Sequence, residues 1–172
     1  MHYVSWDRTN RDEPKLLAEA GPEVLATFTH ETAQVEGDTW DLITTPESGA
    51  VAKDGSGREI VRADGSLKRD KQITVQVDSA QYVIVGETSK NFIIDDAAGQ
   101  KVAQFTSDHN GVRKAILEFE GETTLPYTHI VALAWVSRLM LEARKMLNST
   151  ALIGFLVFLS VFSAESRARL AS

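Results

Sequence analysis

Short apolar runs separated by Gly, Asp and Ser turns follow one another between residues 23 and 125, a pattern typical of strands joined by hairpins. The clearest run covers residues 72–78, where Ile73, Val75 and Val77 alternate with polar residues. Strict alternation predicts a strand with one buried and one solvated face. Residues 82–85 and 92–94 are continuous apolar runs, short enough for strands covered on both sides.

The remaining predicted strands bring the total to about nine. They cover residues 24–30, 39–45, 50–53, 58–63, 101–106 and 113–119. The pairs Asp54-Gly55 and Asp64-Gly65 supply left-handed turn positions that suit tight hairpins. Residues 54–60 and 96–102 share the pattern Asp-x-x-Gly-x-x-aliphatic at a distance of 42 residues. This match indicates either a structural repeat or a chance likeness between two hairpins.

The first 22 residues are polar and lie outside the predicted strands. Pro14 suits a first helical position and Gly21 a stop, so a short helix is predicted over residues 13–20. The same stretch has no apolar core of the kind that a secretory signal requires. We therefore expect a cytoplasmic N-terminus.

A helix is predicted over residues 126–147, with Pro126 at its start and apolar residues on every face. A helix without a polar face is buried in protein or lipid. Arg138, Glu142, Arg144 and Lys145 argue against a bilayer span, and Arg138 and Glu142 are four apart and can pair. The favoured interpretation is a helix buried by the strands, with its charged last turns emerging.

A second apolar segment, residues 146–164, carries no charge. At ~1.5 Å per residue it would reach roughly 28 Å, close to the ~30 Å hydrocarbon thickness of a bilayer. Polar residues at 148–150 suit the cap of a new helix and reduce the dense apolar run to residues 151–164. A membrane anchor and a helix buried on protein therefore both remain open for residues 148–172.

Charge is distributed unevenly around a total of −6. Residues 1–125 hold 13 Lys and Arg against 22 Asp and Glu, whereas residues 126–172 hold 5 against 2. An acidic body argues against a nucleic-acid binder, which needs a basic face for phosphates. The sequence has no cysteine, which excludes disulfides, thiolate metal sites and a cysteine nucleophile within it.

The hairpins, the run Asn91–Phe105 with Asp96, Gly99, Val102 and Ala103, and the apolar helix that follows resemble the tubby C-terminal-like superfamily, which includes LURP-one-related proteins and phospholipid scramblases. The resemblance covers about residues 24–147 and implies a closed antiparallel β-barrel around a central hydrophobic helix. It departs from the family in the strand count, about nine against twelve, and in the second apolar segment. It implies contact with phospholipid head groups.

The sequence shows no catalytic signature. The histidines His2, His30, His109 and His129 have no metal-ligand spacing, and we favour packing or surface roles for them. Asp95, Asp96 and Asp108 are more simply solvated turn residues than a cation site. No Ser or Thr lies beside a plausible activating base.

One basic patch stands out in the acidic body. The head-group candidates are Arg58, Arg62, Lys68, Arg69 and Lys71, although a solvated hairpin loop is the favoured interpretation of these residues. No cofactor or metal is implied.

We therefore expect a mainly β protein with a polar segment 1–22, a tubby-like barrel 23–147 and an apolar helix 148–172. The favoured function is a non-enzymatic binding module, cytoplasmic and tethered to a membrane through residues 151–164, that contacts phospholipid head groups or a protein partner. The alternatives are a structural protein whose last helix docks on another subunit, and a scramblase-like lipid mover. Oligomeric state stays open.

Overall fold

A closed antiparallel barrel of twelve strands forms the body of the protein. The computed structural model describes residues 1–19, 21–107 and 115–145. Within these ranges each strand pairs with its chain neighbours, and β12 pairs with β1 to close the barrel. The strands are β1 Tyr3–Asp7, β2 Lys15–Ala18, β3 Val24–Phe28, β4 Thr32–Val35, β5 Asp38–Thr45, β6 Gly49–Lys53, β7 Glu59–Asp64, β8 Gln72–Val77, β9 Ala80–Gly86, β10 Asn91–Asp96, β11 Lys101–Ser107 and β12 Ala115–Phe119.

Two sequence predictions about the wall of the barrel are wrong. The strand count is twelve because β1, β2 and β4, each only four or five residues long, were missed. The predicted helix over residues 13–20 is instead β2, which pairs with β1 and β3 and buries Leu16 completely. Pairing of β2 with a strand on each side overrides the weak helical preference of a four-residue segment.

Alternation places one face of each strand in the core. In β8, Ile73, Val75 and Val77 are fully buried, as predicted. The apolar runs in β9 and β10 follow the same alternation and are not covered equally on both sides. Tyr82 and Phe92 are buried, whereas Val83 and Ile93 are half-buried on the outer face.

The barrel wall repeats every four strands. The hairpins β2–β3, β6–β7 and β10–β11 each shift register at an equivalent point, namely Leu16/Leu17, Ala52/Lys53 and Ile94/Asp95. In each turn a glycine donates its N–H to the carbonyl three residues earlier, Gly21 to Ala18, Gly57 to Asp54 and Gly99 to Asp96. The match between residues 54–60 and 96–102 therefore marks two equivalent hairpins, to which a third corresponds. In the hairpin of residues 54–60, the residue with left-handed backbone is Gly57, with φ +83°, rather than the predicted Gly55.

The chain after β12 forms a helix, α1, over residues 127–145, which confirms that part of the predicted helix. Residues 146 and 147, and the whole second apolar segment, lie outside the described residues. Residues 129–137 are all buried, and nine consecutive residues cover every face of a helix. The predicted ion pair is also present, with 2.9 Å between Arg138 Nε and Glu142 Oε1.

The two ends of the barrel differ in charge. Because neighbouring strands are antiparallel, their links alternate between the ends. One end, here the hairpin end, carries the links β2–β3, β4–β5, β6–β7, β8–β9, β10–β11 and β12–α1. The other, the helix-exit end, carries the links β1–β2, β3–β4, β5–β6, β7–β8 and β9–β10 with residues 138–145 of α1. Among the described residues of these sets, the first holds seven acidic residues and one arginine, and the second nine basic and seven acidic residues.

Candidate functional site

A cavity of about 600 Å³ opens at the helix-exit end, between α1 and the links β1–β2, β3–β4 and β5–β6. Its volume lies in the range of small-molecule sites, ~300–1,000 Å³. Part of its wall is apolar and comes from Phe28, Leu67, Trp135 and Leu139. Another part is charged and comes from Arg8, Arg11, Asp12, Arg138 and Glu142. The cavity therefore combines an apolar surface with guanidinium groups.

Arg138 is fixed on two sides within this wall. Its guanidinium carbon lies 4.7 Å from the ring centroid of Trp6, and Glu142 accepts the hydrogen bond from its Nε. Burial lowers the pKa of Arg138, whereas the neighbouring Glu142 raises it. The pair is only partly buried, since 37% of the Glu142 side chain is exposed, and ion pairs this accessible contribute little to stability. A contribution to stability alone therefore does not explain a guanidinium at this position.

Glu142 lies within ion-pair distance of two arginines. The same Oε1 that binds Arg138 lies 3.8 Å from Nη2 of Arg8. Arg11 makes no ion pair with any residue in the described part of the chain. With three arginines against Asp12 and Glu142, the wall of the cavity carries an excess of positive charge.

The structure divides the basic patch that the sequence suggested. Arg58 lies at the hairpin end, where its Nε is 3.1 Å from Asp54 Oδ2. Arg62 lies in β7 with its Nη2 2.5 Å from Glu59 Oε2. Ion pairs with carboxylates on the same hairpin therefore engage both arginines.

The other three cations of the patch, Lys68, Arg69 and Lys71, stay together in the β7–β8 link at the helix-exit end. Lys68 Nζ lies 2.7 Å from Glu47 Oε1 in the β5–β6 link. Arg69 and Lys71 form no ion pair with a described residue. These three residues, hereafter the loop cations, lie at the same end as the cavity.

A polar cluster lies at the hairpin end, around the start of α1. The hydroxyl of Tyr82 is 2.7 Å from Nδ1 of the buried His129, whose Nε2 is 3.8 Å from Asp78 Oδ2. Burial lowers the pKa of His129, against the opposing effect of Asp78. The hydrogen bond from Ser56 is the main cause that lowers the pKa of nearby Asp54 to about 2. Among the described residues, no group of three or more acidic or histidine side chains is placed to hold a metal ion.

The cavity residues Arg8, Arg11 and Arg138 were not recognised as a site from the sequence. Arg8 and Arg11 lie in the polar segment 1–22, which the sequence pattern separates from the barrel, and the same pattern assigns Arg138 a pairing with Glu142 and a role against a bilayer span, but no binding role. The available signal was an arginine inside an otherwise apolar helix. It does not indicate which distant loop supplies the remaining cations.

Comparison with protein-family models, curated proteins and solved structures gave no match to this chain. Within the described part of the chain, no helix is both long and apolar enough to cross a bilayer. The predicted anchor at residues 151–164 and the residues Asp108 and His109 fall outside that part.

Proposed function

We propose that the chain is a non-enzymatic binding module of the tubby-like kind, which presents the helix-exit end of its barrel to phospholipid head groups at a cytoplasmic membrane surface. The observation that carries the proposal is the coincidence of three features at one end. The loop cations, the positively charged cavity and the last turns of α1 all lie there. The chain continues from α1 towards the apolar residues 151–164.

The charge difference between the two ends supports this orientation. Anionic lipids attract Lys and Arg near the membrane surface by ~1 kcal/mol per residue, whereas an acidic surface is repelled. The hairpin-end links hold a strong acidic excess, and the helix-exit end a small basic one. An end-on approach therefore places the favourable charges near the lipid and the unfavourable charges away from it.

The proposal includes a helix that fills the barrel. Contacts of α1 with strands on different sides of the wall support it. The Tyr127 hydroxyl donates to the carbonyl of Leu25 in β3, and His129 meets Tyr82 in β9. Further along, Arg138 lies over Trp6 in β1 and Arg144 over Phe92 in β10. Such a filled barrel, with twelve strands, is what the tubby-like resemblance implies.

Vesicle flotation of the full-length chain tests the membrane role. The chain is mixed with phosphatidylcholine vesicles with and without phosphatidylserine, and the loop cations are changed together in a Lys68→Gln/Arg69→Gln/Lys71→Gln variant. We expect the variant to lose binding to the anionic vesicles by about a hundredfold, at ~1 kcal/mol for each cation.

The matched control removes three cations from the hairpin end, with Lys53→Gln, Arg58→Gln and Lys101→Gln in one chain. It changes the net charge equally, and we expect its binding to stay close to that of the parent. If both variants lost vesicle binding equally, the net charge of the chain rather than the position of the cations would explain the loss, and this would contradict the proposed orientation. Removal of residues 149–172 in a second series tests the anchor separately, because it should abolish binding to the neutral vesicles.

A further inference from the structure

We propose that the cavity at the helix-exit end binds a single anionic amphiphile, a molecule with a carboxylate or phosphate head on an alkyl chain. The inference rests on the proposed membrane function for the source of such a ligand. It goes beyond that function because it assigns a binding site within this cavity, distinct from the loop cations that attract the surface.

The apolar part of the wall fits the alkyl chain. Leu67 is fully buried and Trp135 almost so, and with Phe28 and Leu139 they form one side of a space of about 600 Å³. Removal of methylene groups from water against such a surface is favourable. A small inorganic ion would leave this surface without a partner.

The charged part of the wall fits the head. Guanidinium groups bind carboxylate and phosphate oxygens with paired, charge-assisted hydrogen bonds. Glu142 holds Arg138 at 2.9 Å but is 3.8 Å from Arg8, and Arg11 has no ion-pair partner among the described residues. An incoming anion can therefore take Arg8 and Arg11 while Glu142 keeps Arg138 in position.

The excess of positive charge selects the sign of the ligand. A neutral amphiphile would bring no anionic partner for Arg8 and Arg11. A cationic amphiphile would be repelled by three guanidinium groups. An anionic head is the chemistry that complements this wall.

Tryptophan quenching in the full-length chain measures occupancy of the cavity. The probe is 8-bromooctanoate, whose bromine quenches an indole ring on contact. Trp135 lines this cavity, and Trp40 lines a smaller one at the hairpin end. We expect saturable quenching that falls in Trp135→Phe. Trp6 packs against the lining residues Phe28 and Arg138, so a Trp6→Phe change in the same chain should remove any quenching that is left. Binding of the probe should weaken about tenfold or more in Arg8→Gln/Arg11→Gln because charged hydrogen bonds are lost.

Arg58→Gln, at the hairpin end, is the matched control and should bind the probe as the parent does. 8-Bromooctanol lacks the charged head and should bind at least tenfold more weakly, since the arginines lose their partner. Equal binding of the alcohol, quenching that does not saturate, or quenching unchanged by the two arginine substitutions would each overturn the proposal.

A second arm identifies the source of the amphiphile. The full-length chain is added to nanodiscs that contain phosphatidylglycerol with brominated chains. Quenching of Trp135 there and by free 8-bromooctanoate supports a site open to both sources, and quenching in the nanodiscs alone supports a lipid drawn from the bilayer. The absence of quenching in both arms overturns the proposal.

Flotation separates a failure of this inference from a failure of the membrane role. Normal vesicle binding without quenching would remove the cavity proposal alone. Quenching by free 8-bromooctanoate without vesicle binding would remove the membrane role alone.

Discussion

Gly86 in β9 provides the space in which Arg144 lies against the barrel. A Cβ atom at Gly86 would lie 2.5 Å from Arg144 Nη1. Arg144 Nη2 donates to the carbonyl of Asp70 at 2.7 Å, and its guanidinium carbon lies 5.1 Å from the ring centroid of Phe92. The absence of one side chain in a strand therefore lets the last turns of α1 bind the β7–β8 link.

Gly86→Ala should lower the free energy of unfolding by about 1 kcal/mol, because the displaced guanidinium loses its hydrogen bond. In an Arg144→Ala background the same change should cost almost nothing, and urea unfolding of the four chains measures the difference. An equal cost in both backgrounds would show that Gly86 does not act through Arg144.

Gly49→Ala is the comparison for Gly86→Ala. The new Cβ atom at residue 49 would meet the carbonyl oxygen of Ala63 at 1.9 Å, and the backbone there has φ at +129°. That change should cost more than Gly86→Ala because the backbone itself must move.

His129 should make stability depend on pH. Burial lowers the pKa of His129 in the folded protein, so below pH ~6.5 the unfolded chain binds a proton that the folded chain does not. The free energy of unfolding should therefore fall as the pH drops from about 6.5 towards that lowered pKa. Urea unfolding at a series of pH values checks this, with His129→Gln as the variant. The variant should show a smaller fall, and an unchanged pH dependence would contradict the assignment.

At the scale of the elements, the four-strand repeat predicts that equivalent turns respond alike. Gly57 has φ +83° and Gly99 has φ +78°, and a Cβ atom at either position meets nothing within 4 Å. Gly57→Ala and Gly99→Ala should each cost about 1 kcal/mol, from the left-handed backbone alone. Chemical denaturation should give the two values within a few tenths of a kcal/mol of each other. A large difference would mean that the turns are not equivalent.

The long, alternating elements could be predicted from the sequence, and the short ones could not. β8 alternates over six residues, so its buried face can be read directly, and α1 is apolar on every face over a length that exceeds that of any strand. β2 and β4 have four residues each, too few for a period, and they are strands because neighbours on both sides pair with them. The loop cations were found because they lie within four consecutive residues. The cavity was not, because Arg8 and Arg138 lie far apart in the chain and meet at Glu142 only in the folded protein.

At the scale of the molecule, opposite ends have different roles in this account. The hairpin end is acidic and holds the start of α1, whose dipole favours negative charge at that position. The helix-exit end has the loop cations, the cavity and the positively charged last turns of α1. In the proposed orientation this second end faces lipid.

Site-specific labelling shows which end of the barrel contacts lipid, because the sequence contains no cysteine and a single introduced one can be labelled cleanly. The exposed residues Ser89, in the β9–β10 link, and Ala98, in the β10–β11 turn, lie at opposite ends. Ser89→Cys and Ala98→Cys in the full-length chain each receive an environment-sensitive fluorophore, and vesicles with phosphatidylserine carry a head-group quencher. If the helix-exit end faces lipid, we expect a blue shift and quenching at Ser89→Cys and neither change at Ala98→Cys. Quenching at Ala98→Cys, or equal signals at the two positions, would contradict this orientation.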